Sequence, residues 1–286
     1  MVLEHIFRTK DLLHSKFKLI LYTTIITVIA CFTSYVFFKD SASILTIAFI
    51  SIAFTYLMYS TFQMLEKQES GGYKFNLWKK YSFVFVAYAK IFLVIAFVFS
   101  IIFILVPDDI RMTLFSDQMK TLQNISTVKD VINAKFAYFT QKGEAFFSLI
   151  FVNNLQVLLA VILLSFVYGA GAVFLISYQA SIFGVIIGSN VLNLVNKYLH
   201  LGIAAKAMAF AHATYLSLGI LPHGIFEIFA YFVGAVAGGI ISAMLVGHYY
   251  KDMKTVRNTI TDVIILIILA VVCLLIGAII ESYLLI

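Results

Sequence analysis

His223 and Glu227 are the residues with the clearest chemical potential in this chain. They lie in "LPHGIFEIFAYFVGAVAGG" (221–239), a stretch that is otherwise apolar and glycine-rich. Four residues apart, they share one face of a helix, one turn from each other. Pro222 suits the first turn of that helix, where its missing N–H has no helical acceptor. Gly224 keeps one side of the turn bare. The free N–H groups and positive dipole end favour an anion there, either Glu227 itself or a bound ligand. An ionised carboxylate at membrane depth is costly unless paired, so Glu227 needs a partner or a proton. Asn153, Asn154, His223 and Lys206 are the candidate partners.

Three chemistries fit this set. The simplest is a polar clamp between helices. The second is a path for protons, ions or a small substrate. The third is an intramembrane hydrolase, but the chain has no HExxH and no GxSxG. His200, His212 and His248 lack the spacing of paired ligands. No catalytic residue, metal ligand or cofactor is therefore assigned.

The composition says what must hold these residues. The chain has 286 residues, 62% hydrophobic and 12% charged, about half the charge of a soluble domain. That is a polytopic membrane protein with the lipid bilayer as its main partner. The net charge of +6 comes from lysines and arginines in short loops, where they set topology and do not point to nucleic acid. Cys31 and Cys273 sit inside apolar runs as core thiols. "VIAC" (28–31) resembles a lipoprotein cleavage box, but "FTSYVFF" continues the run, which reads as an uncleaved first span.

Apolar runs place spans at 17–38, 42–62, 81–106, 146–177, 182–195, 222–247 and 259–281, with "SYQAS" (177–181) as a turn. Segment 196–221 carries Lys197, His200, Lys206 and His212 and is too polar for a lipid-facing span. It is expected to be re-entrant, protected by protein or water. The fold class is all-α: a polytopic transmembrane helical bundle of about seven spans plus a re-entrant or half-membrane segment. Three regions follow: a three-span N-terminal annex (1–106), an extracellular amphipathic segment (107–144) and a core bundle (145–286).

Lysine and arginine counts place the N-terminus and the 63–80 and 248–258 loops in the cytoplasm. Trp78 and Tyr81 fall where an interfacial aromatic belt is expected, and Lys90, well inside the third span, reads as a protein-facing polar anchor or as part of an ion path. Outside, Phe115, Met119, Leu122, Ile125, Val128, Ile132, Phe136 and Phe139 recur at three- and four-residue steps. They predict an amphipathic helix, broken at most once. It lies on the membrane or the bundle, or 110–142 docks an extracellular or membrane protein partner or a second copy. Gly234, Gly238 and Gly239 offer a small face for close helix packing, as do Gly184 with Gly188 and Gly169 with Gly171.

Asn153–Asn154 early in a span, Gly169 and Gly171 later, Gly184 and Gly188, then "PHGIFE" with Gly234, Gly238 and Gly239 come in order. This arrangement, over 145–286, resembles the stage II sporulation protein M family of integral membrane proteins. "PHG-x-x-E" is its specific element. Many relatives carry Asn-Gly where this chain has Tyr178-Gln179. The resemblance implies a non-enzymatic membrane scaffold or assembly factor; the namesake works beside peptidoglycan-degrading partners during engulfment. A small transporter or permease centred on His223 and Glu227 is the alternative.

Overall fold

The computed structural model describes residues 15, 17–70, 77–135, 139–168, 171–197, 208, 211, 221–251 and 253–284. The described residues are almost all helical, with no strand among them. In chain order the helices are α1 (Lys18–Phe37), α2 (Ala42–Ser70), α3 (Leu77–Leu105), α4 (Asp108–Leu114), α5 (Ser116–Lys135), α6 (Phe139–Tyr168), α7 (Ala172–Lys197), α8 (Leu221–Val246) and α9 (Met253–Leu284). Seven of them are long and apolar enough to cross a membrane: α1, α2, α3, α6, α7, α8 and α9. The chain is a multi-pass membrane bundle. Segment 196–221 lies outside the described residues except at Asn196, Lys197, Met208, Ala211 and Leu221.

One helix boundary corrects the sequence reading. The fourth span ends at Tyr168, and residues 177–181 lie inside α7. Gly171 sits at the link between the two helices and is not a packing face within a span, and Gly169 lies outside the described residues. The physical reason is that Gly-x-Gly is the stronger helix breaker, whereas Ser-Tyr-Gln-Ala-Ser contains no Gly or Pro. Tyr178 and Gln179 therefore belong to a helix and not to a turn. Tyr81 is a second correction. It is fully buried, and its hydroxyl donates to Asp262 Oδ2 at 3.2 Å, so it does not line the interface.

Helix register follows from what the glycines touch. A Cβ on Gly184 would meet the Ala96 carbonyl oxygen at 2.6 Å, and one on Gly188 would meet Phe103 at 3.0 Å, so α7 runs parallel to α3 in backbone contact. A Cβ on Gly234 would lie 2.5 Å from Leu158 Cδ1, and one on Gly238 would lie 2.5 Å from the Ile162 carbonyl oxygen, so α8 runs parallel to α6. The Ser165 hydroxyl donates across this contact to the Ala235 carbonyl at 2.7 Å. Gly239 faces the Phe62 ring of α2. At one end of the bundle, Lys80 of α3 pairs with Asp262 of α9 at 3.3 Å. The core is continuous from α1 to α9, and α8 is its most enclosed span. Cys31 and Cys273 are buried in it as free thiols.

The third span stops for a stated reason. Pro107 cannot continue the ladder, and Arg111 bends back to satisfy freed carbonyls. Its Nε donates to Phe103 O and its Nη2 to Val106 O, each at 2.8 Å, while Asp108 pairs with the same guanidinium. Among the described residues the expected outer helix is broken at Phe115, whose buried ring wedges against Phe99 and Phe103 at centroid distances of 5.6 and 5.3 Å.

Gly238→Ala places a methyl on the α6 backbone and should destabilise the bundle by about 1–3 kcal/mol, as overpacking does. Gly224→Ala should cost less, because its nearest neighbour at 2.9 Å is the far end of the Phe183 ring, which can move aside. Thermal denaturation in detergent, followed by the folded peak on size-exclusion chromatography, checks the order.

Candidate functional site

The α6–α8 contact brings the sequence-predicted residues together. Asn154 lies near the middle of the span Gly143–Phe166 and is buried; Glu227 lies near the start of Gly224–Val246 and is half-buried. Asn154 Nδ2 donates to Glu227 Oε1. The same amide accepts at Oδ1 from the Tyr231 hydroxyl at 2.9 Å. Asn153, exposed on the outside of α6, reaches only its neighbour among the described residues: its Nδ2 donates to Asn154 Oδ1 at 3.5 Å. Asn154 is therefore fixed on both sides, by a phenol it accepts from and a carboxylate it donates to.

Glu227 and Tyr231 are one turn apart on α8, so both point at α6 when one does. That spacing was visible in the sequence, and it was the signal that could have found Tyr231. The second group the sequence reading missed is Glu281 of α9, close enough to act electrostatically on Glu227. No spacing rule links 227 to 281; only the antiparallel return of α9 beside α8 brings them together. Gly224 does keep its turn bare, and the Phe183 ring of α7 occupies the space.

Pro222 lies in the first turn of α8, at its second residue, as the helix-start argument requires. The side chains of Pro222 and His223, and all of Lys206, His200 and His212, lie outside the described residues. Among the described residues no ion pair involves Glu227, and no group of three or more His, Cys, Asp or Glu is placed to hold a metal ion. His248 is exposed in a left-handed turn after α8, with its Nδ1 3.3 Å from the Tyr250 hydroxyl.

This geometry binds two parallel helices through a polar cluster at Asn154 and a glycine seam, in a seven-span bundle. The profile of the family described as "Stage II sporulation protein M" matches residues 24–284. The chain belongs to that family. The match takes in the first three spans as well as the 145–286 region that carries the resemblance. No curated protein and no solved structure matches the chain.

The Asn154–Glu227 bond has a double-sided test. Asn154→Leu strands a half-buried carboxylate and should cost about 1–3 kcal/mol. Asn154→Leu with Glu227→Met removes both partners and should recover much of that loss. Chemical or thermal unfolding of the two single variants and the double variant in one detergent gives the coupling.

Proposed function

We propose that this protein is a non-enzymatic membrane scaffold, with its N-terminus in the cytoplasm and α4–α5 on the opposite side. The observation that carries the reading is how α5 is held. The fully buried Gln118 accepts at Oε1 from the Ser43 hydroxyl of α2 at 2.7 Å and donates from Nε2 to Ser181 Oγ of α7 at 2.9 Å. The Asp117 backbone N–H donates to Ser43 Oγ at 3.3 Å, and Thr121 shares a hydrogen bond with the Tyr178 hydroxyl at 3.0 Å. The first turns of a polar helix are thus bolted to two spans. Farther along, Gln123, Asn124 and Thr127 are exposed. A rigidly presented polar helix is what a partner-holding protein needs, and the family is named for a stage of sporulation. The Asn154–Glu227–Tyr231 contact is, on this reading, a clamp.

A transporter is the second reading, and one observation favours it. Glu227 and Glu281 stand near each other, and among the described residues no cation is paired with Glu227. Membrane-depth carboxylates of this kind mark ion and proton paths.

One pair of experiments separates the two. Replacing 123–135 by a Gly-Ser linker leaves Phe115, Gln118 and Thr121 in place, so the bundle should insert and keep its thermal stability. Covalently trapped partners on that side should disappear, while Glu227→Gln should keep them. Solute or proton flux in proteoliposomes that stops with Glu227→Gln, with trapped partners unchanged by the linker, would replace the scaffold with the transporter.

A further inference from the structure

α6 is the least covered of the seven spans: 22% of its membrane window is buried, against 78% for α8. Its uncovered side is patterned. Leu149, Val152, Gln156, Leu159, Leu163 and Phe166 are all exposed, and they follow one another at alternating steps of three and four. That is the 3.5-residue repeat of a left-handed helix pair, with one polar residue in the middle of the seam.

Leucines facing lipid need no explanation. A carboxamide does, because hydrocarbon offers neither donor nor acceptor. Gln156 lies at the centre of the stripe, near the middle of the span, and Asn153 flanks it on the same exposed side. Two exposed threonines elsewhere in the bundle are satisfied by their own helix. Thr24 donates to the Ile20 carbonyl at 3.0 Å, and Thr261 donates to the Arg257 carbonyl at 2.8 Å. A glutamine amide carries two N–H donors and a carbonyl acceptor, so it is best satisfied by a second amide.

We infer that this face of α6 is the interface with a second copy of the chain. A twofold axis along the membrane normal sets α6 parallel to its mate and keeps both copies in one topology. On that axis Gln156 meets Gln156 of the other copy, and each carbonyl accepts from the other's N–H. The apolar positions above and below pack knobs-into-holes, and Phe166 closes one end of the seam. The central amide fixes register, as a single polar seam residue does in coiled coils. The self-complementary amide selects a copy of this chain over an unrelated helix. The interface is independent of the scaffold or transporter reading, since it uses the opposite side of α6 from Asn154.

Single cysteines in a Cys31→Ala, Cys273→Ala background test the inference in native membranes. Leu159→Cys and Leu163→Cys should give disulfide-linked dimers on mild oxidation, several-fold above Leu93→Cys on the exposed face of α3. Dilution of donor- and acceptor-labelled protein in lipid should show Gln156→Leu weakening the dimer about 3- to 20-fold. Gln156→Asn should retain most of the affinity. Equal cross-linking at 93 and 163, energy transfer absent at every protein-to-lipid ratio, or a dimer insensitive to Gln156→Leu would each overturn the proposal. So would cross-links from 163 that run only to another protein.

Discussion

α8 can lie against α6 only because position 238 has no side chain. The α6 backbone there already occupies the place a Cβ would take, and the rest of the bundle depends on that approach. It brings the Ala235 carbonyl within reach of the short Ser165 hydroxyl. Farther along the same seam it brings Glu227 and Tyr231 to Asn154. In lipid there is little hydrophobic drive between helices, so close packing and hydrogen bonding must supply association. Glycine provides the first and permits the second. The α3–α7 pair repeats the arrangement through Gly184 and Gly188.

The second constraint is that a polar group away from water must find its partner within the protein. The structure solves this differently at each place. Thr23, Thr27, Thr46 and Thr61 bond back to their own helix four residues earlier. Gln118 bridges two helices from a third. Arg111 collects the carbonyls that Pro107 leaves free at the end of the third span. Each is a local solution, and together they explain how a chain with so few charges still reaches a defined arrangement.

Much of this could be read from the sequence, because the strongest signals are local. Seven apolar runs gave the seven spans, and Pro107 gave the end of the third. The glycine spacings at 184 and 188 and at 234 and 238 named the close-packing helices. The misreadings also have local causes. The polar run 177–181 looked like a turn, yet its polarity serves Gln118 and Thr121, which come from a segment 60 residues earlier in the chain. Tyr81 looked interfacial because Asp262, which takes its hydroxyl, is 181 residues away. Glu281 was passed over for the same reason. A sequence pattern reports the face a residue belongs to, but which distant helix covers that face is a tertiary fact.

Two acidic contacts in the bundle, at Asp262 and Glu227, differ in kind. Asp262 receives the Lys80 ammonium and the Tyr81 hydroxyl. A cation there compensates the charge, and the result is a structural fastening of α3 to α9. Glu227 receives an amide hydrogen from Asn154, with Glu281 nearby to oppose its charge. A neutral donor fixes where a carboxylate sits without cancelling the charge it can carry. The first arrangement serves only to hold helices together. The second holds helices through a neutral donor, with no cation among the described residues paired to the carboxylate. A scaffold needs only the holding, so the response of Glu227 to its surroundings is the property in which the two functional readings physically diverge.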